Sequence, residues 1–172
     1  LLLCLVLAAE SLGSESVVED LPTDGSSDLY VFNREPLLPN ALAKLPIGCI
    51  TPKGWLGGQL ELMKGGMTGR LDEFSEFITP KSAWWNGKAR GWAEKAYWLS
   101  GWEEMPYWIK GFGDLGYILD DRDIKVRARK WLDAVIAGQE DDGYFGPPAN
   151  KAKKDLWPNM VMLFAFQSLY EA

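Results

Sequence analysis

The chain has 172 residues, 47% of them hydrophobic and 24% charged, with a formal net charge of −6. These proportions are ordinary for a globular chain of one domain or part of a larger one. The negative balance argues against a nucleic-acid surface, which needs clustered Lys and Arg, and with no His present a Ser-His-Asp or Cys-His site, or a His-ligated metal, cannot be completed within these residues.

In chain order, residues 1–9 are an apolar run that ends in small side chains, the pattern of a secretory signal whose charged start is missing. The run is too short for a membrane span. Residues 1–13 are assigned to a signal-peptide remnant. Residues 14–29, in a stretch rich in Ser, Glu, Asp and Gly, are assigned to a disordered linker, and the folded part to residues 30–172. A secreted or extracytoplasmic protein follows. Cys4 would leave with the signal, so Cys49 stands alone and is expected to be a buried small hydrophobe.

Tyr30 to Ile50 carries several prolines and no helical period, so it is expected to be extended, with one short strand at Lys44 to Ile50. Leu56, Leu60, Met63 and Met67 recur at helical spacing and predict a first helix over Gly54 to Met67, ended by Gly65, Gly66 and Gly69. Leu71 to Leu99 has no clean period and holds Trp84, Trp85, Trp92 and Trp98, which suits a packed lid or a ligand-contacting loop.

A second helix starts near Pro106 with Trp108, Phe112, Leu115 and Leu119 on one face. Its glycines, Gly111, Gly113 and Gly116, are unfavourable in a helix interior and point to close approach by another helix or a ligand. Asp123 is the expected cap of a third helix that buries Ile124, Ala128, Trp131 and Val135 and runs to about Gln139, before a turn at Asp142-Gly143. Lys151 to Lys154 reads as a solvated loop. The fourth helix begins at Pro158 and is apolar on every side over Met160 to Phe166. Such a helix should be covered all round, and the cover is expected from sequence beyond Ala172. The chain also starts without Met, so it is expected to be a piece of a larger protein. Nothing requires a sheet, and the predicted class is all-α.

Several residues could carry chemistry. Glu103 and Glu104 precede the second helix beside Trp102, Tyr107 and Trp108. A carboxylate next to aromatic rings can hold sugar hydroxyls while a ring stacks on the sugar face. Acids at a helix N-terminus are equally explained by the helix dipole. Asp142 and Tyr144 lie in a turn, and Asp-Gly is first of all a turn signal. Trp157 and Asn159 flank Pro158 at a helix start, where Asn159 suits a cleft or the core. These nine residues form the predicted substrate-binding set, with no catalytic group assigned. Asp72, Glu73 and Glu76 read as a solvated charge run.

Leu45-Pro-Ile-Gly-Cys-Ile-Thr-Pro-Lys-Gly-Trp-Leu56, Gln59-Leu60-Glu61-Leu62, Thr68-Gly-Arg-Leu-Asp-Glu-Phe74, Trp102-Glu-Glu-Met-Pro-Tyr-Trp108 and Trp157-Pro-Asn-Met-Val-Met162 occur in that order. Together they resemble the N-terminal part of glycoside hydrolase family 127, the β-L-arabinofuranosidase-like proteins. The resemblance implies part of an (α/α)6 toroid with an extended N-terminal segment, acting on extracellular glycans. It also implies a cysteine nucleophile held near zinc and a Glu acid/base, all further along the whole enzyme than this fragment. No cofactor is therefore assigned to this fragment, and Cys49 is not matched to that nucleophile. The expected partner is a carbohydrate; neither nucleic acid nor a membrane span is expected. The alternatives are a non-catalytic glycan-binding toroid, or another α/α-toroid enzyme of the polysaccharide-lyase or terpene-cyclase kind, since Gln139 to Phe145 loosely matches the Gln-Asp-Gly-aromatic repeat of such proteins.

Overall fold

The computed structural model describes residues 29–75, 77–80, 82, 84, 85 and 102–172. The signal remnant, the linker up to residue 28, Glu76, Trp92 and Trp98 lie outside the described residues. The chain divides into one unit up to Lys44 and another from Leu45 to Ala172.

In the first unit, residues 29–44 form neither helix nor strand, as their prolines predict. Local bonds hold them: the Leu37 N–H donates to the Arg34 carbonyl at 2.9 Å, and Asn33 Nδ2 donates to the Leu38 carbonyl at 2.9 Å. The Lys44 ammonium stands 5.7 Å from the Tyr30 ring centroid.

The second unit contains α1 (Gly54–Gly65), α2 (Met67–Arg70), a 3-10 turn (Leu71–Glu73), α3 (Glu104–Ile118), α4 (Arg122–Ile136), α5 (Pro148–Lys153) and α6 (Trp157–Glu171). No strand occurs among the described residues, so the class is all-α. The strand expected at Lys44 to Ile50 is replaced by a turn. There Gly48 takes a left-handed φ of +85°, and the Cys49 N–H donates to the Pro46 carbonyl at 3.2 Å. Cys49 is exposed rather than buried, because the turn projects it away from the core.

α3 is the centre of this unit and packs against both α4 and α6. It buries Met105, Trp108, Ile109, Phe112 and Leu115. α4 contributes Ile124, Ala128, Trp131 and Val135, as its period predicts, together with Leu132. α6 contributes Met162 and Ala165, while Ile78 and Trp84 close the cluster from the preceding loop. Burying each large side chain of this kind stabilises the fold by roughly 1.5–3 kcal/mol. Trp108 stacks on Phe112 with centroids 4.7 Å apart and meets the edge of Trp131 at 5.8 Å. α1 lies at the periphery and has no fully buried residue; Leu60 and Met63 only lean on the core.

The α3–α4 connection explains one of the unfavourable glycines. A Cβ on Gly116 would come within 2.6 Å of Ile124 Cγ2 and 3.1 Å of Ile124 Cβ, so the two helices approach there only because Gly116 has no side chain. α3 ends in a Schellman motif, with Asp120 at φ +54°, the Asp121 N–H donating to Gly116 O at 2.9 Å and the Asp120 N–H to Tyr117 O at 3.4 Å. Asp121, rather than the expected Asp123, caps α4: its Oδ1 accepts from the Ile124 N–H at 2.9 Å. The Lys64 ammonium lies 2.6 Å from its other oxygen.

α6 buries Val161, Met162 and Ala165 on one side and leaves Trp157, Met160, Leu163, Phe164 and Tyr170 exposed on the other. Near its end Glu171 accepts from the Ile47 N–H at 3.0 Å, which ties the first turn of the unit to its last helix. No described helix is long and apolar enough to cross a membrane.

Candidate functional site

The site is built where α3 and α6 begin. The Glu103 carbonyl accepts the Tyr107 N–H at 3.0 Å and opens the first turn of α3. Its side chain does not cap that turn. Instead Glu103 Oε2 accepts from the Trp157 indole Nε1 at 2.8 Å, across 54 residues of sequence. Glu104 is the acid left in the first turn, exposed to solvent, where the helix dipole favours it. Dipole stabilisation therefore describes Glu104, whereas Glu103 serves a contact between elements.

α6 starts in a different way. Asp155 Oδ1 accepts from the Trp157 N–H at 3.2 Å, and Pro158 occupies the first turn, where its missing N–H is not needed. Trp157 is about half-exposed while its indole N–H is held by Glu103, so part of the ring meets solvent beside a carboxylate. Tyr107, half-exposed as well, lies one helical turn beyond Glu103 on α3.

The turn after α4 is joined to the same place. Gly143 adopts φ +86°, as the Asp-Gly pair predicts, and its N–H donates to the Glu140 carbonyl at 2.8 Å. Asp142 Oδ1 accepts from the Tyr144 N–H at 3.1 Å. Lys151 bridges Glu140 Oε2 at 2.7 Å and Asp142 Oδ2 at 2.6 Å, with its ammonium 5.3 Å from the Tyr144 ring centroid. The Lys151 ammonium, and after it the Tyr144 N–H, holds the Asp142 carboxyl below the usual carboxylate range. The Tyr144 hydroxyl donates to the Pro147 carbonyl at 2.8 Å, and burial pushes this phenol up to about 12, offset only in part by the neighbouring Asn159 amide. Asn159 Nδ2 donates to the Phe145 carbonyl and so fastens the turn to the start of α6.

Of the nine predicted residues, Glu103, Glu104, Tyr107 and Trp157 present polar or aromatic surface at the helix starts. Asp142, Tyr144 and Asn159 fix the turn beside them. Trp102 is partly buried, and its carbonyl accepts the Trp84 indole N–H at 3.0 Å. Trp108 departs from its expected role. It is 6% exposed, its ring is covered by Phe112 and Trp131, and its N–H donates to the Thr68 carbonyl at 3.0 Å, so it packs the core and does not stack on a ligand.

Two supporting residues went unrecognised in the sequence. Lys151, in what reads as a solvated basic run, clamps the turn; the acids Glu140 and Asp142 upstream were the available signal. Gly146, at φ +106°, admits Trp84: a Cβ there would lie 2.7 Å from the indole. The charge run at Asp72 and Glu73 is also not simply solvated, since Arg127 pairs with Asp72 and Arg70 bonds Glu73 at 2.7 Å.

A separate cavity of about 250 Å³ lies among Ile136, Gln139, Phe145, Leu163 and Phe166. Its lining is apolar apart from Gln139, whose Nε2 already donates to the Gly143 carbonyl at 3.1 Å. It offers little to a sugar, whose hydroxyls need hydrogen-bond partners. Among the described residues no group of three His, Cys, Asp or Glu is arranged to hold a metal ion. Comparison with known proteins finds no matching family model, no matching curated protein and no matching solved structure.

Proposed function

We propose that this chain belongs to the catalytic domain of a secreted, β-L-arabinofuranosidase-like glycoside hydrolase, part of an (α/α)6 toroid, and holds extracellular glycan at the Glu103–Trp157 surface. The observation that carries this reading is the 2.8 Å bond between Glu103 and the Trp157 indole. It sets an aromatic face beside a carboxylate that retains further acceptor directions. A sugar has the matching pair of surfaces: an apolar C–H face for the ring and hydroxyl donors for the carboxylate. Tyr107 and Glu104 extend the same pattern along α3. The ordered motifs that resemble family 127 and the apolar run at residues 1–9 support the family and the secretion in this reading.

The role assigned here is binding. Cleavage of a glycosidic bond needs two suitably separated carboxyl groups or another nucleophile, and those groups are taken to lie outside the residues named. Calorimetric titration with arabinose-containing oligosaccharides, alongside release of p-nitrophenol from its β-L-arabinofuranoside, tests the reading. Glu103→Gln and Trp157→Ala should each weaken binding by about 10-fold or more, as expected for loss of a hydrogen bond to a charged group or of a stacking ring. Glu61→Gln on α1 should leave binding unchanged. Equal, small effects of all three substitutions would remove the Glu103–Trp157 surface from the site. In the full-length protein, binding without release of p-nitrophenol would favour a glycan-binding protein over a hydrolase.

A further inference from the structure

Glu140, Asp141 and Asp142 are consecutive acids at the base of the turn after α4. Charges set this close repel one another. Lys151 offsets them: its ammonium reaches Glu140 Oε2 at 2.7 Å, across 11 residues, and Asp142 Oδ2 at 2.6 Å, across 9. The stretch from Glu140 to Lys151 is thereby closed into a ring. Two routes join that ring to the start of α6. From the turn, the Phe145 carbonyl accepts Asn159 Nδ2. From α5, the Asn150 carbonyl accepts the Asp155 N–H at 2.9 Å, and Asp155 Oδ1 in turn accepts the Trp157 N–H at 3.2 Å. The first helical turn of α6 is therefore held on both sides of Pro158. Glu103 arrives separately, from the start of α3, so its bond to the Trp157 indole requires α6 to begin in one fixed place.

We infer that Lys151 is a positioning residue for the Glu103–Trp157 surface and makes that surface responsive to ionic strength. Its ammonium is taken up by carboxylates of the turn, so it acts on a ligand through Trp157 and not by contact. The response to salt follows from exposure. The Lys151, Glu140 and Asp142 side chains are 37%, 46% and 59% exposed, so dissolved ions reach them. The screening length falls from about 10 Å at 0.1 M salt to about 3 Å at 1 M. A single exposed pair contributes little. Here one cation joins two carboxylates beside a third, and its loss leaves repulsion in place of attraction. The indole that meets Glu103 is a neutral donor, so salt acts more strongly on the ring than on the Glu103–Trp157 bond itself. The effect on a ligand rests on the glycan reading above; the hold on Trp157 does not.

Hydrogen exchange at the Trp157 indole N–H reads the clamp without a ligand. It is followed by NMR in the 172-residue chain, with the resonance assigned through Trp157→Phe. The Trp108 indole, buried and bonded to the Thr68 carbonyl, is the internal reference for the effect of salt on exchange itself. Relative to it, Lys151→Met should speed Trp157 exchange by about 5-fold, the upper end for exposed ion pairs. Lys151→Arg should restore most of the protection, because a guanidinium also bonds carboxylates. Wild type should approach the Lys151→Met rate as sodium chloride rises from about 0.05 M to about 1 M, while Lys151→Met itself changes little. Arg129→Met, which removes an exposed ion pair within α4, should match wild type. Unchanged exchange in Lys151→Met, or wild-type exchange indifferent to salt, would overturn the proposal. The salt series needs no substitution, so it decides the matter if Lys151→Met loses helicity. Titration with an uncharged arabinose-containing oligosaccharide then reads the ligand: affinity should fall by about 5-fold in Lys151→Met. Faster exchange with affinity unchanged would overturn the positioning role. Faster exchange where wild type binds no sugar would support the clamp and remove the glycan reading alone.

Discussion

Gly111 and Gly116 lie on one helix, and replacing each with Ala should move stability in opposite directions. Gly111 has open space where a Cβ would stand, so Gly111→Ala should stabilise by roughly 0.5–1 kcal/mol through reduced unfolded-state freedom. At Gly116 a Cβ would press on Ile124, a β-branched side chain with little freedom to yield, and on the Lys125 nitrogen at 3.2 Å. Overpacking outweighs the helix-propensity gain there, and a net loss of roughly 1–2 kcal/mol is expected. Urea unfolding of both variants checks the pair; equal shifts would mean that α3 and α4 do not meet at this glycine. The residue scale also shows what the sequence could disclose of the site. It exposed the residue types at two helix starts. It could not show that Glu103 would bond Trp157 rather than cap its own helix, because that depends on how α3 and α6 pack. For Trp108 two readings competed, and its helical spacing with Phe112 and Leu115 favoured the core position it occupies.

For the helices themselves, α4 offers a pH-dependent test. The Ile124 N–H, then the Lys64 ammonium, holds the Asp121 carboxyl below its ordinary value. Its contribution to stability is therefore complete above the unfolded-state value of about 3.9 and is lost as pH falls through the lower folded-state value. Asp121→Asn retains a good cap but cannot titrate. Wild type should be the more stable at neutral pH, and the gap should close as the medium is taken from about pH 4 towards pH 2. Unfolding midpoints across that range check this; a constant gap would show that the Asp121 charge is not responsible. Four helices were legible because each has an apolar stripe or a recognisable start. α5 was not, since Pro148–Lys153 is short and basic and carries no apolar period. The expected strand failed because Pro46 and Gly48 impose a turn on a stretch that composition alone leaves extended. The cap of α4 shifted from Asp123 to Asp121 among closely spaced acids that composition cannot rank.

Across the whole helical unit, the Glu171–Ile47 bond spans 124 residues. Glu171→Ala should destabilise the protein by about 1.5–3 kcal/mol, the range for a hydrogen bond to a charged group. It should also speed hydrogen exchange at the Ile47 amide more than at amides within α3. Unchanged exchange at Ile47 would show that this bond does not hold the opening turn. The packing of α3 between α4 and α6 has a further consequence during synthesis. α4 can cover one flank of α3 soon after both emerge from the ribosome, but the other flank waits for α6. The 54 residues between Glu103 and Trp157 take roughly 3–11 s to translate at about 5–20 residues per second. For those seconds the nascent chain carries a bare, apolar helix flank, the kind of surface that chaperones capture.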